Sequence, residues 1–394
     1  MSNILFINQN INFIILCSKK ELSSNDIDYI ISNVSNNLFD ANYYLDLALK
    51  HGVLSLVYYN IKYLSNNKNY FNTLKDFLNI LKLNYIEIVQ KNMRLSYELI
   101  KITDLFKQQQ IKNIAFKGTV LSQLAYGDIS KRQYNDLDIL IDQKDIYEVL
   151  ELLKSIGYEL EIMLNKSTQE TFFNSVNVVG LFKREPFIYI EIHWELLSKN
   201  YALEWDNTIW SSISSTYINN HKIHTLSVEN HLLYLCTHGS KHFFERVEWV
   251  CDIDRFVKSH HNLNWGTLLT KSQNMGIERI FLISLLLTHK LFDLELPESI
   301  YSAISRDKQV DIIVNKIIDI SFTNVQSKKR DYTTLLMLVS MREKPIDKLR
   351  LILYSIFSTK FDDFKFIQLP NSLSFLYIFI RPYRLIKKYF YKSI

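Results

Sequence analysis

The chain has 394 residues, of which 47% are hydrophobic and 22% charged. This is the composition of an ordinary soluble globular protein with enough apolar mass for two or three packed units. The net charge of +5 is too small to announce nucleic acid by itself. No uninterrupted apolar run approaches the ~20 residues that span a bilayer, so a membrane span is excluded. The first twenty residues lack a basic leader, which argues against a signal peptide. Cys17, Cys236 and Cys251 are few, odd in number and lack metal-ligand spacing, so a reduced, cytoplasmic setting is expected.

Residues 1–110 read as a helical region. Ser23, Ser24 and Asn25 are cap-type residues opening one helix, and "YYLDLALKHGVLSLVYYNIKYL" carries apolar positions at helical spacing. A long amphipathic pattern follows and ends where "IKNIAF" becomes β-like. His51, just before Gly52, reads as a helix-end residue rather than a ligand. Residues 111–200 read as an α/β or α+β unit on a small mixed sheet, in the order strand, helix, strand, helix, strand, strand. Its strands are "NIAF", "DLDILID", "SVNVVGLFK" and "FIYIEIHWEL". Residues 201–394 read as helical again, with "SKKRDYTTLL" a loop running into a helix and "RPYRLIKKYFYKSI" a basic, aromatic terminal helix. The expected fold class is α+β, predominantly helical.

The chemistry concentrates in the strands. Residues two apart on a strand share a face, so Asp136 and Asp138 project together inside an apolar run. Two carboxylates that close repel unless a cation sits between them. Mg²⁺, a hard ion that shares oxygen ligands with phosphates, resolves the conflict. On "IYIEIHWEL", Glu191, His193 and Glu195 share one face, and adjacent strands would make Glu191 a third carboxylate beside the aspartates. Three carboxylates suit two-metal catalysis of an in-line displacement. Upstream, Gly118 and Thr119 stand at a strand-to-helix junction, where free N–H groups and a hydroxyl make a phosphate cradle. Lys117 and Arg132 add positive charge. The plainer alternative is an edge strand with solvated aspartates.

With those residues in place, the order Gly118-Thr119, Asp136-Leu137-Asp138, Glu191 resembles the "G-S, D-x-D, D/E" signature of DNA polymerase β-type nucleotidyltransferases. More narrowly, "FKGTVLSQLAYGD", "NDLDILI", "IEIHWEL" and "HLLYLCTHGSKHFFERVEWVCDIDRF" resemble a bacterial family of uncharacterised nucleotidyltransferases. The resemblance implies a polymerase β-like mixed-sheet core at 111–200 between helical regions at 1–110 and 201–394. It also implies a catalytic set of Asp136, Asp138 and Glu191, with the three carboxylates binding Mg²⁺ or Mn²⁺; His193 is added to that set on the residues alone. The implied activity is transfer of NMP from an NTP, with pyrophosphate released. Thr119 departs from the usual Ser but keeps a hydroxyl. The stretch from Gly118 to Asp136 is longer than in minimal members.

The string "THGSKHFFERVEWVCDIDRF" reads as a histidine-rich helix with His238, Lys241, His242 and Arg246 on one side, forming a wall over the nucleotide. The alternative is a solvated, salt-bridged face. His193 reads either as a general base or as a partner that fixes Glu191. Arg255 and His260 match the spacing of RNA-cleaving helical domains, a pattern that chance also supplies. Arg381, Arg384, Lys387, Lys388 and Lys392, with Tyr383, Tyr389 and Phe390, make a helix suited to an anionic partner or to capping the bundle. The acceptor remains a small molecule, a peptide or protein, or an RNA end such as tRNA. The competing class is a non-enzymatic or RNA-binding module of the toxin–antitoxin type.

Overall fold

A computed structural model of the chain describes residues 7–197, 207–323 and 331–390. Five helices come first: α1 (Gln9–Ser18), α2 (Ser24–Val34), α3 (Ala41–Lys50), α4 (Leu54–Ser65) and the long α5 (Lys68–Gln108). Ser23 caps α2 in a reciprocal box with Asp26, which satisfies two otherwise free N–H groups. The His51–Gly52 break separates α3 from α4, where the periodicity alone runs through. His51 is buried there, and burial pushes its imidazole down to about 4. Its ring and carbonyl instead receive the N–H groups of Val247 and Glu248.

The sheet follows, with β1 (Asn113–Ala115), α6 (Gly118–Tyr126), β2 (Asp136–Ile141), α7 (Ile146–Ser155), β3 (Glu159–Leu160), α8 (Gln169–Ser175), β4 (Val178–Lys183) and β5 (Ile188–His193). Its strand order is β1-β2-β5-β4-β3, with only β2 and β5 parallel. Leu137, Ile139, Ile141, Ile190 and Ile192 face one core, shared with α5, α7 and α8. Ile114, Phe116 and Leu140 face the opposite core, which draws together side chains from α1 to α5 and from the C-terminal helices. The two acidic strands are therefore neighbours, and their charged face is roofed by helices rather than open to water. The fold class is α+β and predominantly helical, as expected.

Residues after 206 are not purely helical. A hairpin, β6 (Ser214–Ile218) and β7 (His221–Thr225), turns at Asn219-Asn220, both with positive φ. That Asn-Asn pair between alternating residues is the sequence signal for such a turn. The remaining helices are α9 (Val228–Lys241), α10 (Val247–Ser259), α11 (Trp265–Asn274), α12 (Glu278–Phe292), α13 (Glu298–Arg306), α14 (Lys308–Ile318), α15 (Asp331–Ser340), α16 (Pro345–Phe357), α17 (Phe361–Phe366) and α18 (Tyr377–Phe390). The loop expected over Ser327–Arg330 lies outside the described residues, as does Lys392; the side chains of Lys388, Tyr389 and Phe390 do too. Cys17, Cys236 and Cys251 are buried free thiols. Among the described residues no helix is long and apolar enough to cross a membrane.

Candidate active site

Parallel pairing of β2 with β5 sets Asp138 opposite Glu191. His193, two residues further on β5, reaches back so that its Nε2–H is shared by Asp138 Oδ1 (3.1 Å) and Glu191 Oε2 (3.2 Å). Ligand atoms of Asp138, Glu191 and His193 all lie within 4.8 Å of one another. The tight trio is thus not the three carboxylates expected. Asp136 stands two register pairs back, opposite Tyr189, and His193 joins Asp138 and Glu191 in the group.

Lys117 Nζ lies 2.6 Å from Asp138 Oδ1. The Asp138 side chain is fully buried, and its Oδ2 has no hydrogen-bond partner. Burial alone would raise its carboxyl, but Lys117 and His193 overturn that and hold it well below the usual carboxylate range. Burial likewise opposes the charged forms of Lys117 and His193. For Lys117, Asp138 and then Tyr234, Glu191 and Asp136 win, and the ammonium is lifted well above its ordinary value. For His193, Asp138 and Glu191 win, and the imidazole is raised. Asp136 has no such ion pair. Burial and then Asp138 push its carboxyl up to about 6.

Gly118 begins α6 with φ +50, and a Cβ there would sit 3.0 Å from the carbonyl oxygen of Asp136. Glycine is required both for the left-handed backbone and for this close approach to β2. The Val120 and Leu121 N–H groups both turn to Lys117 O, leaving Gly118 and Thr119 N–H as the first donors of the helix. The Thr119 hydroxyl, expected to help bind phosphate, faces the other way. It is buried against Tyr134 OH (3.1 Å) and Ser96 Oγ (3.3 Å).

Arg132 also departs from expectation. Its guanidinium is buried and grips Asp252 with two hydrogen bonds, Nε to Oδ1 at 2.8 Å and Nη2 to Oδ2 at 2.9 Å. Tyr126 OH donates to the same carboxylate at 2.8 Å. The pair ties the connection leading into β2 to α10. Its side fork, Nε and Nη2, is thereby committed to Asp252.

The histidine-rich string is not one helix. Phe243 and Phe244 adopt positive φ between α9 and α10, and the Phe244 ring fills the space where a side chain on Gly239 would lie. His238 and Lys241 remain on α9, while His242 and Arg246 belong to the break. His242 still stacks on Trp249 with centroids 5.0 Å apart, and His238 lies 5.0 Å from His242. Burial and then Lys117 push the His238 imidazole well below its usual range. Burial and then Lys241 push His242 down to about 4. Both rings are neutral near pH 7. Arg246 pairs with Glu248 at 3.1 Å and lies over the Trp249 ring. Lys241 feels Lys117 and Glu191, and burial with the first of these lowers its ammonium.

Two cations at this site were not singled out in the sequence. Lys91, on α5, reaches Asn135 Oδ1 at 2.5 Å and feels the charges of Asp136 and Arg94. Lys360, just before α17, is lowered to about 8 by burial, then Arg381, with Lys241 among its neighbours. No local pattern links these residues to the aspartates. They meet because α5 crosses β2 and the C-terminal helices return to the sheet. Arg255 and His260 share no site: Arg255 donates to Ser18 O at 2.8 Å, and His260 stacks on Phe256.

Residues 37–293 match the family described as uncharacterised nucleotidyltransferase. The chain belongs to that family. The five-stranded mixed sheet is accordingly the core of a nucleotidyltransferase, and a nucleotide is its substrate class. No curated protein matches the chain. Among solved structures, the lincosamide antibiotic adenylyltransferase LnuA, lincomycin-bound, is 20% identical, with a TM-score of 0.28 over 41% of this chain and 94% of that one. An antigenic nucleotidyltransferase-like protein from Paracoccidioides brasiliensis is 15% identical, with a TM-score of 0.27 over 46% of this chain and 87% of that one.

Proposed function

We propose that this nucleotidyltransferase moves NMP from an NTP to an acceptor hydroxyl, with a divalent cation held by Asp138 and Glu191. The observation that carries this reading is the convergence of Asp138, Glu191 and His193 beside the Lys117 ammonium. The donor set fits the ion. Two carboxylates supply hard oxygen ligands, and the unpartnered Asp138 Oδ2 lacks any other use. Carboxylate oxygens suit Mg²⁺ and Mn²⁺ alike. When bound, such an ion neutralises phosphate charge and polarises the P–O bonds.

The chain's own groups divide the remaining work. Gly118 and Thr119 N–H groups at the start of α6 receive phosphate oxygens. Lys117, Lys241, Lys91 and Lys360 offset the charge of the triphosphate and of the departing pyrophosphate. The acceptor oxygen attacks the α-phosphorus as its bond to the β-bridging oxygen breaks, and pyrophosphate leaves with that electron pair. Glu191 is the most exposed of the trio, with its side chain 30% accessible, and takes the acceptor's proton. His193 touches both carboxylates and acts as a positioning residue that fixes their orientation. His238, His242 and Trp249 offer an uncharged aromatic wall for the base or the acceptor.

The test is incubation with each α-labelled NTP, divalent cation and cell extract, comparing wild type with Asp138→Asn. Label should pass to one acceptor class in the wild type only. Label in no metabolite, peptide or RNA, or equal labelling by the variant, overturns the reading. No observation favours the non-enzymatic alternative.

A further inference from the structure

Helices α16 and α18 lie side by side beyond the residues that match the family, and both turn apolar stripes outward. On α16, Ile346, Leu349, Leu353 and Phe357 recur at helical spacing, and all are exposed. A groove of about 460 Å³ follows that stripe. On α18 the polarity is inverted. Arg381 and Arg384 point inward to Asp363, at 3.4 and 2.6 Å, while Phe379, Tyr383 and Ile386 face out. A surface helix ordinarily buries its apolar stripe and exposes its charges. Here the charges are locked beneath, so the exposed stripe lacks the cover its composition demands. Nearly half of the exposed large apolar side chains among the described residues fall between 336 and 386.

The rim narrows the choice of cover. Lys344, Arg350 and Lys387 are exposed around the stripes. A second copy docked face to face would set the same cations against themselves. A nucleic acid needs outward cations along a track with aromatic platforms. This face is mainly aliphatic at its centre, with few cations at its edge. A lipid surface satisfies both features, because apolar side chains enter the acyl boundary while cations meet anionic headgroups.

We propose that the outward faces of α16 and α18 dock the protein on an anionic bilayer surface without spanning it. The transfer chemistry is not part of this inference, and none of the site's residues is involved. The test is co-sedimentation of the full chain with vesicles of phosphatidylcholine alone and of phosphatidylcholine mixed with phosphatidylglycerol. Three proteins are compared: wild type, Leu349→Glu/Leu353→Glu/Phe379→Glu, and Lys344→Glu/Arg350→Glu/Lys387→Glu. All six positions are exposed, so unchanged thermal melting is expected. Wild type should bind the anionic vesicles, with at least about tenfold weaker binding to neutral ones and for each variant. Three results overturn the proposal: no co-sedimentation of wild type, undiminished binding by the apolar-stripe variant, or a wild-type dimer that this variant dissolves. Preferential retention of RNA over anionic vesicles overturns it equally.

Discussion

Replacing Lys117 by Met isolates the interaction on which the site is balanced. In the structure, Asp138 is fully buried and its nearest cation is Lys117 at 2.6 Å, with that side chain only 17% accessible. Removing one partner of such a pair costs about 3–5 kcal/mol, since the other charge stays buried and uncompensated. His193 stays within 3.1 Å of Asp138 and recovers part of this. The expected loss is therefore about 2–4 kcal/mol, read as a drop in the urea midpoint without metal. A divalent cation should then rescue the variant. With no ammonium competing for Asp138, saturating Mg²⁺ or Mn²⁺ should restore roughly 1–3 kcal/mol, more than wild type gains. Two results would refute the reasoning: a metal-free variant within about 0.5 kcal/mol of wild type, or equal stabilisation of both proteins by the ion.

Arg132→Met should cost about 3–5 kcal/mol by stranding Asp252, and Arg132→Lys should recover only part because an ammonium cannot make both hydrogen bonds. In urea unfolding this loss should dominate. A raised KM for NTP at unchanged stability would instead return Arg132 to the phosphates. Asp136→Asn tests the raised carboxyl. Because its folded value of about 6 exceeds the ordinary 3.8, the native state holds the proton more tightly, and stability falls as pH rises through that interval. The metal-free variant should gain about 1–2 kcal/mol near pH 7 and nothing below about pH 4, so parallel urea curves at the two pH values would sink this account. Lys91→Met should lower kcat/KM for NTP by about tenfold while leaving the melting temperature nearly unchanged; an unchanged kcat/KM removes α5 from the site.

Local pattern carried much of this protein. Alternation placed Asp136 with Asp138 and Glu191 with His193 on two strands, and β2 and β5 follow. The Gly118 turn was visible as a strand-to-helix junction, although its reason differs: the carbonyl of Asp136 occupies the space a side chain would need. The 41-residue helix α5 was legible in part, because amphipathic periodicity is a property of neighbours in sequence. The Asn219-Asn220 hairpin was equally local and was overlooked. Other decisions were not local. Whether Thr119 and Arg132 face the nucleotide depends on Tyr134, Ser96 and Asp252, residues brought from other elements, and each took the side chain for packing. The break at Phe243-Phe244 is set by tertiary packing over Gly239, which overrides a continuous helical pattern. Lys91 and Lys360 join the aspartates only because distant helices cross the same sheet. A sequence fixes which residues share a strand or helix face. Which faces meet is settled by burial of two cores at once, and that is decided over the whole chain.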